Sequence, residues 1–209
     1  DKTILQVIPA MDAGGAERTT LEIARAVIAA GGRAIVATSG GRMIAALEEA
    51  GAKVSKLPVN SKNPLAIAAN ASKLAGLIRE TGADLIHARS RAPAWSALMA
   101  ARRAGVPLVT TWHGAYRAGS PLKRLYNSAM ARGDLVIANS AFTAETIRAS
   151  RDPGDKLLII HRGADTDEFN PRRLSPQRRT AMLEKWGLGP GEGPVLLLPA
   201  RLTDWKGHG

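Results

Sequence analysis

The residues with the clearest capacity for chemistry are Gly14-Gly15-Ala16-Glu17-Arg18, which follow the apolar run Ile4 to Pro9 and open a helical pattern, Ala16 to Ala30. A strand, a glycine turn and a helix start make an anion seat. First-turn N–H groups lack intrahelical partners, and the aligned peptide dipoles place partial positive charge there. Paired glycines let phosphate or carboxylate approach the backbone closely. Three further candidates are His87, His113 and His161, each closing an expected strand. A metal held by all three requires convergence on one ion from strands that are not consecutive, so one functional histidine and two packing residues is the better reading. His113 is the best single candidate, because Thr110-Thr111-Trp112-His113-Gly114 ends a strand with a glycine that admits a ligand to the backbone. The competing reading is a strand-end histidine satisfied by a loop carbonyl. Arg201 and Lys206 have the chemistry to clamp a diphosphate, Arg as a planar fork and Lys as a point charge.

These groups need a scaffold, and the chain supplies a repeated one. Short β-branched runs at Ile4 to Ile8, Ala34 to Thr38, Lys53 to Leu57, Asp84 to Ala88, Pro107 to Trp112, Leu135 to Asn139 and Leu157 to His161 alternate with Ala-rich helical stretches. Continuous Val/Ile/Leu runs are buried on both faces, and helical crossovers link parallel neighbours, so the fold class expected is α/β with a doubly wound, Rossmann-like parallel sheet. Every loop after a strand then lies on one crest, where open α/β sheets bind ligands. Gly163 to Pro171 resembles a linker, Ser175 to Trp186 a charged helix with Ser175 as N-cap and Pro176 in its first turn, and Val195 to Leu198 a fresh strand. The expected organisation is one domain over residues 1–170, then an interdomain helix and the start of a second domain over 171–209.

Composition removes several classes of function. The 209 residues contain no Cys, which excludes disulfides, thiolate metal sites and cysteine nucleophiles. The net charge of +11 favours anionic partners, but aromatic residues make up only 4% and no base-stacking signature occurs, so nucleic acid is not an expected partner. Gly14 and Gly15 fit no G-x-G-x-x-G pattern, and the second strand ends in Thr38-Ser39 where a ribose-binding acid would stand, which disfavours NAD. Neither a G-K-[ST] phosphate loop nor a G-x-S-x-G nucleophile elbow is present. Every apolar stretch is short and interrupted, so no signal peptide or membrane span is expected and the location expected is cytoplasmic.

Taken in order, the motifs resemble the N-terminal half of family 4 glycosyltransferases, retaining nucleotide-sugar enzymes of the GT-B fold. Gly14-Gly15-Ala16-Glu17 is similar to the family's glycine loop, and Asp84 to Ala88 and Thr111-Trp112-His113-Gly114 to its fourth and fifth strand ends. Ala138-Asn139-Ser140 also fits, Gly163 to Pro171 resembles the interdomain segment, and Arg201-Leu202 with Lys206-Gly207 resembles the donor-phosphate pair. Arg162-Gly163-Ala164-Asp165 stands where the family usually has Asn-Gly-Val-Asp, a variant that puts little of the resemblance in doubt. The family's paired-glutamate motif is missing, so the fragment alone is expected to be inactive. The resemblance implies a catalytic role for His113 and donor or acceptor binding by Gly14, Gly15, Glu17, Gly114, Asn139, Ser140, Arg201 and Lys206, with no metal and no cofactor beyond the nucleotide-sugar substrate. It implies a glycan or lipid-linked acceptor, of lipopolysaccharide type, held by this half. Basic groups beside aromatics (Arg89, Arg91, Trp95, Arg102, Arg103, Arg117, Lys123, Arg124, Tyr126, Arg132) suggest an anionic membrane surface on the inner face of the cell membrane. The alternatives are a GT-B-fold nucleotide-sugar epimerase or phosphorylase, or a noncatalytic anion-binding module for membrane or nucleic acid.

Overall fold

A computed structural model describes residues 1–114, 119–189 and 194–200. Two compact units divide the chain, Asp1–Arg162 and Gly163–Gly209.

The first unit alternates strands and helices: β1 (Thr3–Val7), α1 (Gly15–Ala29), β2 (Arg33–Thr38), α2 (Ile44–Glu49), β3 (Lys53–Lys56), α3 (Pro64–Thr81), β4 (Leu85–Ala88), α4 (Arg91–Ala104), β5 (Leu108–Trp112), α5 (Pro121–Ser128), β6 (Leu135–Ala138), α6 (Ala141–Arg151) and β7 (Leu157–Ile159). All strand pairs are parallel, in the order β3-β2-β1-β4-β5-β6-β7. This is the expected doubly wound α/β sheet. The chain winds outward from β1 in one direction and from β4 in the other, so the loops after β1 and β4 part and leave a crevice at the crest.

Alternation along the strands sorts side chains onto the two faces. In β2, Ala34 and Val36 join one cluster with Leu21, Ala24 and Leu47, while Ile35 and Ala37 join another with Leu74, Ile78, Ala97 and Ile86. The abundance of alanine is used in packing, since Ala71, Ala75, Ala97, Ala100 and Ala101 are all buried, which brings α3 and α4 close together. Helix starts follow local chemistry. Asn63 Oδ1 accepts from Leu65 N at 2.9 Å ahead of Pro64, and Ser120 Oγ accepts from Lys123 N at 3.3 Å ahead of Pro121. Opposite the crest, Asp84 takes Thr3 N at 2.7 Å and Asp134 takes Leu108 N at 2.8 Å, tying the starts of neighbouring strands.

In the second unit, Asp165 Oδ1 accepts from Asp167 N at 3.0 Å and from Glu168 N at 2.8 Å, fixing a turn. Helix α7 (Pro176–Lys185) is capped as expected by Ser175, whose Oγ accepts from Arg178 N at 3.2 Å. The strand expected at Val195 to Leu198 does not form: these residues are exposed and carry no ladder. A strand exists only through its hydrogen-bonded neighbours, and the described part of this unit offers none. Among the described residues no helix is long and apolar enough to cross a membrane.

Candidate functional site

Gly14 is the N-cap of α1, with φ 154° and ψ 175°, and Gly15 is the first helical residue. An L side chain rarely adopts the Gly14 conformation, so glycine here sets the angle at which the chain leaves β1 and starts the helix. Glu17 lies in the first turn, and its carboxylate folds back toward Gly14, where the helix dipole favours negative charge.

His113 follows β5 on the same crest. Its Nδ1 is 3.1 Å from Nη2 of Arg162, which lies beyond β7. A guanidinium can only donate, so Nδ1 accepts and a neutral ring carries its proton on Nε2. That Nε2 is buried and has no partner. Burial first, then the charges of Arg89 and Arg162, depress the His113 pKa to about 3, so the ring is neutral at physiological pH. The Arg162 guanidinium also lies against Gly15, in the space a Cβ there would take. The glycine loop, His113 and Arg162 therefore meet in one place.

Arg89 adds a second cation. It follows β4 directly and is 1% exposed, with Nε and Nη2 buried and unpartnered. Burial, with repulsion from Arg162, lowers its pKa to about 10, against some support from Glu22. Its assignment to a basic surface patch is therefore corrected: Arg89 directly follows β4 and is buried there. The Arg162 that stands in the interdomain segment puts its guanidinium against Gly15 and His113, a contact that the spacing along the chain did not signal.

Other candidates sit differently. His87 belongs to the sheet interior, with Nε2 2.7 Å from Thr111 Oγ1, and burial, then Arg89 and His113, hold its pKa well below the usual histidine value. His161 is exposed, and among the described residues no three His, Asp or Glu side chains group as a metal site. Asn139 Oδ1 accepts from Thr143 Oγ1 at 2.8 Å and Ser140 Oγ accepts from Thr143 N at 3.1 Å, so Ser140 caps α6 and Asn139 is tied to its first turn. Gly114 is partly exposed with open space around it. Arg201 and Lys206 lie outside the described residues.

A second feature of the first unit is a cleft between α3, α4 and α5 with a volume of about 930 Å³. Ile67, Trp95, Met99, Leu122, Leu125 and Tyr126 line it, with Lys62, Arg91 and Lys123 beside them. Trp95 is fixed by donating Nε1–H to Tyr126 O at 3.0 Å and by the Arg132 guanidinium, 5.3 Å from its ring centre.

Residues 13–168 match the model of Glycosyltransferase Family 4. The chain belongs to this family. A glycosyltransferase from Rickettsia africae is 37% identical, with a TM-score of 0.85 over 99% of this chain and 55% of its own. Anabaena HepE, solved in complex with UDP-glucose, is 22% identical with a TM-score of 0.73, covering 90% of this chain and 50% of its own. The lipopolysaccharide outer core galactosyltransferase WaaB is 14% identical with a TM-score of 0.62, covering 79% and 46%. The two more distant structures share the fold, that of the N-terminal Rossmann-like domain of GT-B glycosyltransferases. This family 4 chain spans about half the length of these relatives. No curated protein is significantly similar to it.

Proposed function

We propose that this family 4 chain forms the acceptor-side lobe of a metal-independent glycosyltransferase. The enzyme moves a sugar from a nucleotide-sugar donor to a lipid-linked glycan acceptor with retention of anomeric configuration. The observation that carries the reading is a crest rich in donors: the first turn of α1, the Nε2–H of His113, and the Arg89 and Arg162 guanidinium groups, with the Glu17 carboxylate beside them. Such a surface suits a reaction in which negative charge builds on a leaving diphosphate.

In the proposed reaction the bond from the sugar's anomeric carbon to the β-phosphate oxygen breaks, and the acceptor oxygen bonds to that carbon on the same face. The acceptor proton passes to the departing phosphate, so no protein nucleophile is required. Amides of the glycine loop stabilise the charged oxygens, and neutral His113 donates from Nε2 to a sugar hydroxyl, orienting the ring. Arg201 and Lys206 neutralise the leaving diphosphate in place of a metal. Glu17, Gly114, Asn139 and Ser140 shape the surrounding loops.

The cleft between α3, α4 and α5 supports a lipid-linked acceptor. Its apolar lining suits a hydrocarbon chain, while Lys62 and Lys123 suit an anionic headgroup, each such cation near a charged membrane contributing about 1 kcal/mol. The enzyme would then work in the cytoplasm, peripherally on the inner face of the cell membrane, in building envelope glycan. The test supplies the full-length protein with UDP-, GDP- and ADP-sugars and lipid acceptors, and measures nucleotide release. Turnover of one donor supports the reading. Failure of every donor, with salt-sensitive lipid or DNA binding alone, supports a noncatalytic module instead.

A further inference from the structure

We propose that a pocket between α5 and α6 is a second anion site, which takes one phosphoryl group from inorganic phosphate or a soluble phosphate ester, and that filling it loosens Trp95 in the neighbouring cleft. Anion binding there stands apart from the transferase reading. The use made of it at the cleft rests on that reading.

The pocket has a volume of about 230 Å³, and Arg124, Asn127, Arg132 and Arg151 line it together with Trp112. It sits among the helices that cover one face of the sheet, and the glycine loop, Arg89, His113 and Arg162 take no part in its lining. Sites for larger ligands occupy roughly 300–1,000 Å³, so the occupant here is compact. One wall is rigid. Trp112 is 2% exposed and donates Nε1–H to Met130 O at 3.1 Å, and Thr110 Oγ1 donates to the same oxygen at 2.6 Å. These bonds pin the turn Ala129–Ala131 that leads into Arg132.

Charge and hydrogen bonding both point to an anion. No carboxylate lines the pocket, and among the described residues Arg124, Arg132 and Arg151 have neither an ion pair nor a side-chain hydrogen bond. Two donors, Arg132 Nε and Asn127 Nδ2, are buried without a partner. Asn127 is only 6% exposed, and its Oδ1 accepts from Arg91 Nη1 at 3.3 Å. Buried donors are ordinarily matched, so two on one small pocket mark a place for an acceptor. The serines of the lining are already committed: Ser128 Oγ donates to Leu125 O at 2.7 Å and Ser150 Oγ to Ile147 O at 3.0 Å. What remains is a set of guanidinium forks and one amide. A carboxylate has too few oxygens to satisfy them, whereas a phosphate monoester presents a third.

Both residues with unmatched donors also reach the cleft. The Arg132 guanidinium lies 5.3 Å from the Trp95 ring centre, Asn127 is bonded to Arg91, and Trp95 and Arg91 line the cleft between α3, α4 and α5. Leu125 lines both hollows. An anion that draws on the Arg132 charge competes with the indole face for it, so filling the pocket frees Trp95 and weakens acceptor binding.

The test saturates the full-length protein with UDP, to fill the crest, and then adds inorganic phosphate or acetate. Calorimetry reads binding, and NMR follows the Asn127 side-chain amide and the Trp95 indole N–H. Phosphate should bind and move both resonances, and acetate should bind at least tenfold more weakly. Arg124→Gln combined with Arg151→Gln, both at exposed positions, should weaken phosphate binding at least tenfold, and Arg132→Met should abolish it. Arg25→Gln, on the exposed face of α1, should leave it unchanged. If Arg132→Met does not fold, the exposed pair decides alone. An absence of phosphate binding, unaltered affinity in the double variant, or acetate bound as tightly as phosphate overturns the site. Phosphatidylglycerol vesicles that bind through these arginines when free phosphate does not would assign them to a membrane surface and overturn it equally. In turnover assays phosphate should raise the acceptor KM at least threefold at constant kcat, and should not do so in the double variant. An unmoved Trp95 resonance and an unchanged KM would refute the link to the cleft. Phosphate binding without turnover of any donor would sink the transferase reading and leave the pocket standing, and turnover without phosphate binding would do the reverse.

Discussion

Alanine at Gly14 and alanine at Gly15 should have unequal consequences, although the residues are adjacent. Gly14 is held at φ 154°, a conformation costing an L side chain on the order of 1–3 kcal/mol. A methyl group there would also lie 2.6 Å from Glu17 Oε2, but that oxygen ends a flexible side chain and moves aside cheaply. Gly15 lies outside the positive-φ region, and the atoms nearest its methyl group would be those of the Arg162 guanidinium, Nη1 first, then Cζ at 2.7 Å and Nη2 at 2.8 Å. Arg162 swings outward and gives up its bond to His113, a loss of about 0.5–1.5 kcal/mol. Replacing a helical glycine returns about 0.5–1 kcal/mol. The net change for Gly15→Ala is therefore within about 1 kcal/mol of zero, while Gly14→Ala loses most of its conformational cost. Urea unfolding followed by circular dichroism reads both as midpoint shifts at constant slope. NMR should also show the His113 pKa rising in Gly15→Ala, because one of the charges opposing its protonation has moved away. Equal destabilisation by the two substitutions, or an unmoved His113, would refute the packing of Arg162 on Gly15.

Ile86→Ala, at a fully buried position in β4, should cost about 2–5 kcal/mol in the same unfolding experiment. The two buried histidines set an acid limit. Their folded pKa values lie below the unfolded value of about 6.5, so the unfolded chain binds more protons below that pH. Stability should be flat with respect to these groups above pH 6.5 and fall as pH drops toward the folded pKa, by up to about 1.4 kcal/mol per pH unit for each histidine; His113→Gln should remove its share of the slope. His113→Ala should lower turnover at least about tenfold, equivalent to about 1.4 kcal/mol of transition-state stabilisation, and an unchanged rate would remove it from the site. Leu122→Asp, exposed at the α5 end of the apolar cleft, should shift stability by no more than about 0.5 kcal/mol yet reduce sedimentation with anionic vesicles.

The strands were legible because parallel strands buried on both faces concentrate Val, Ile and Leu in short runs, and their observed bounds follow those runs closely. The cap at Ser175 was equally local, since it needs only a polar side chain and the next turn of helix. The glycine turn and His113 could be placed on the crest from the sequence, because each follows a strand. Arg89 was misread, and the contact of Arg162 went unread, for the opposite reason. Their surroundings are assembled from loops after β1, β4, β5 and β7, and no spacing along the chain records that meeting. Asn139 and Ser140 carried family resemblance, but their nearest chemistry is the N-terminus of α6. Val195 to Leu198 had strand composition without a strand's neighbours.

Because every connection from a helix back to a strand returns on the rim opposite the crest, that rim is chemically spare. The sequence contains no cysteine, so one thiol placed there, for example at exposed Glu49 at the end of α2, would be unique. A fluorophore or surface tether attached at that point leaves the loops of the crest open, and the protein becomes an immobilised reporter whose orientation is set by its winding.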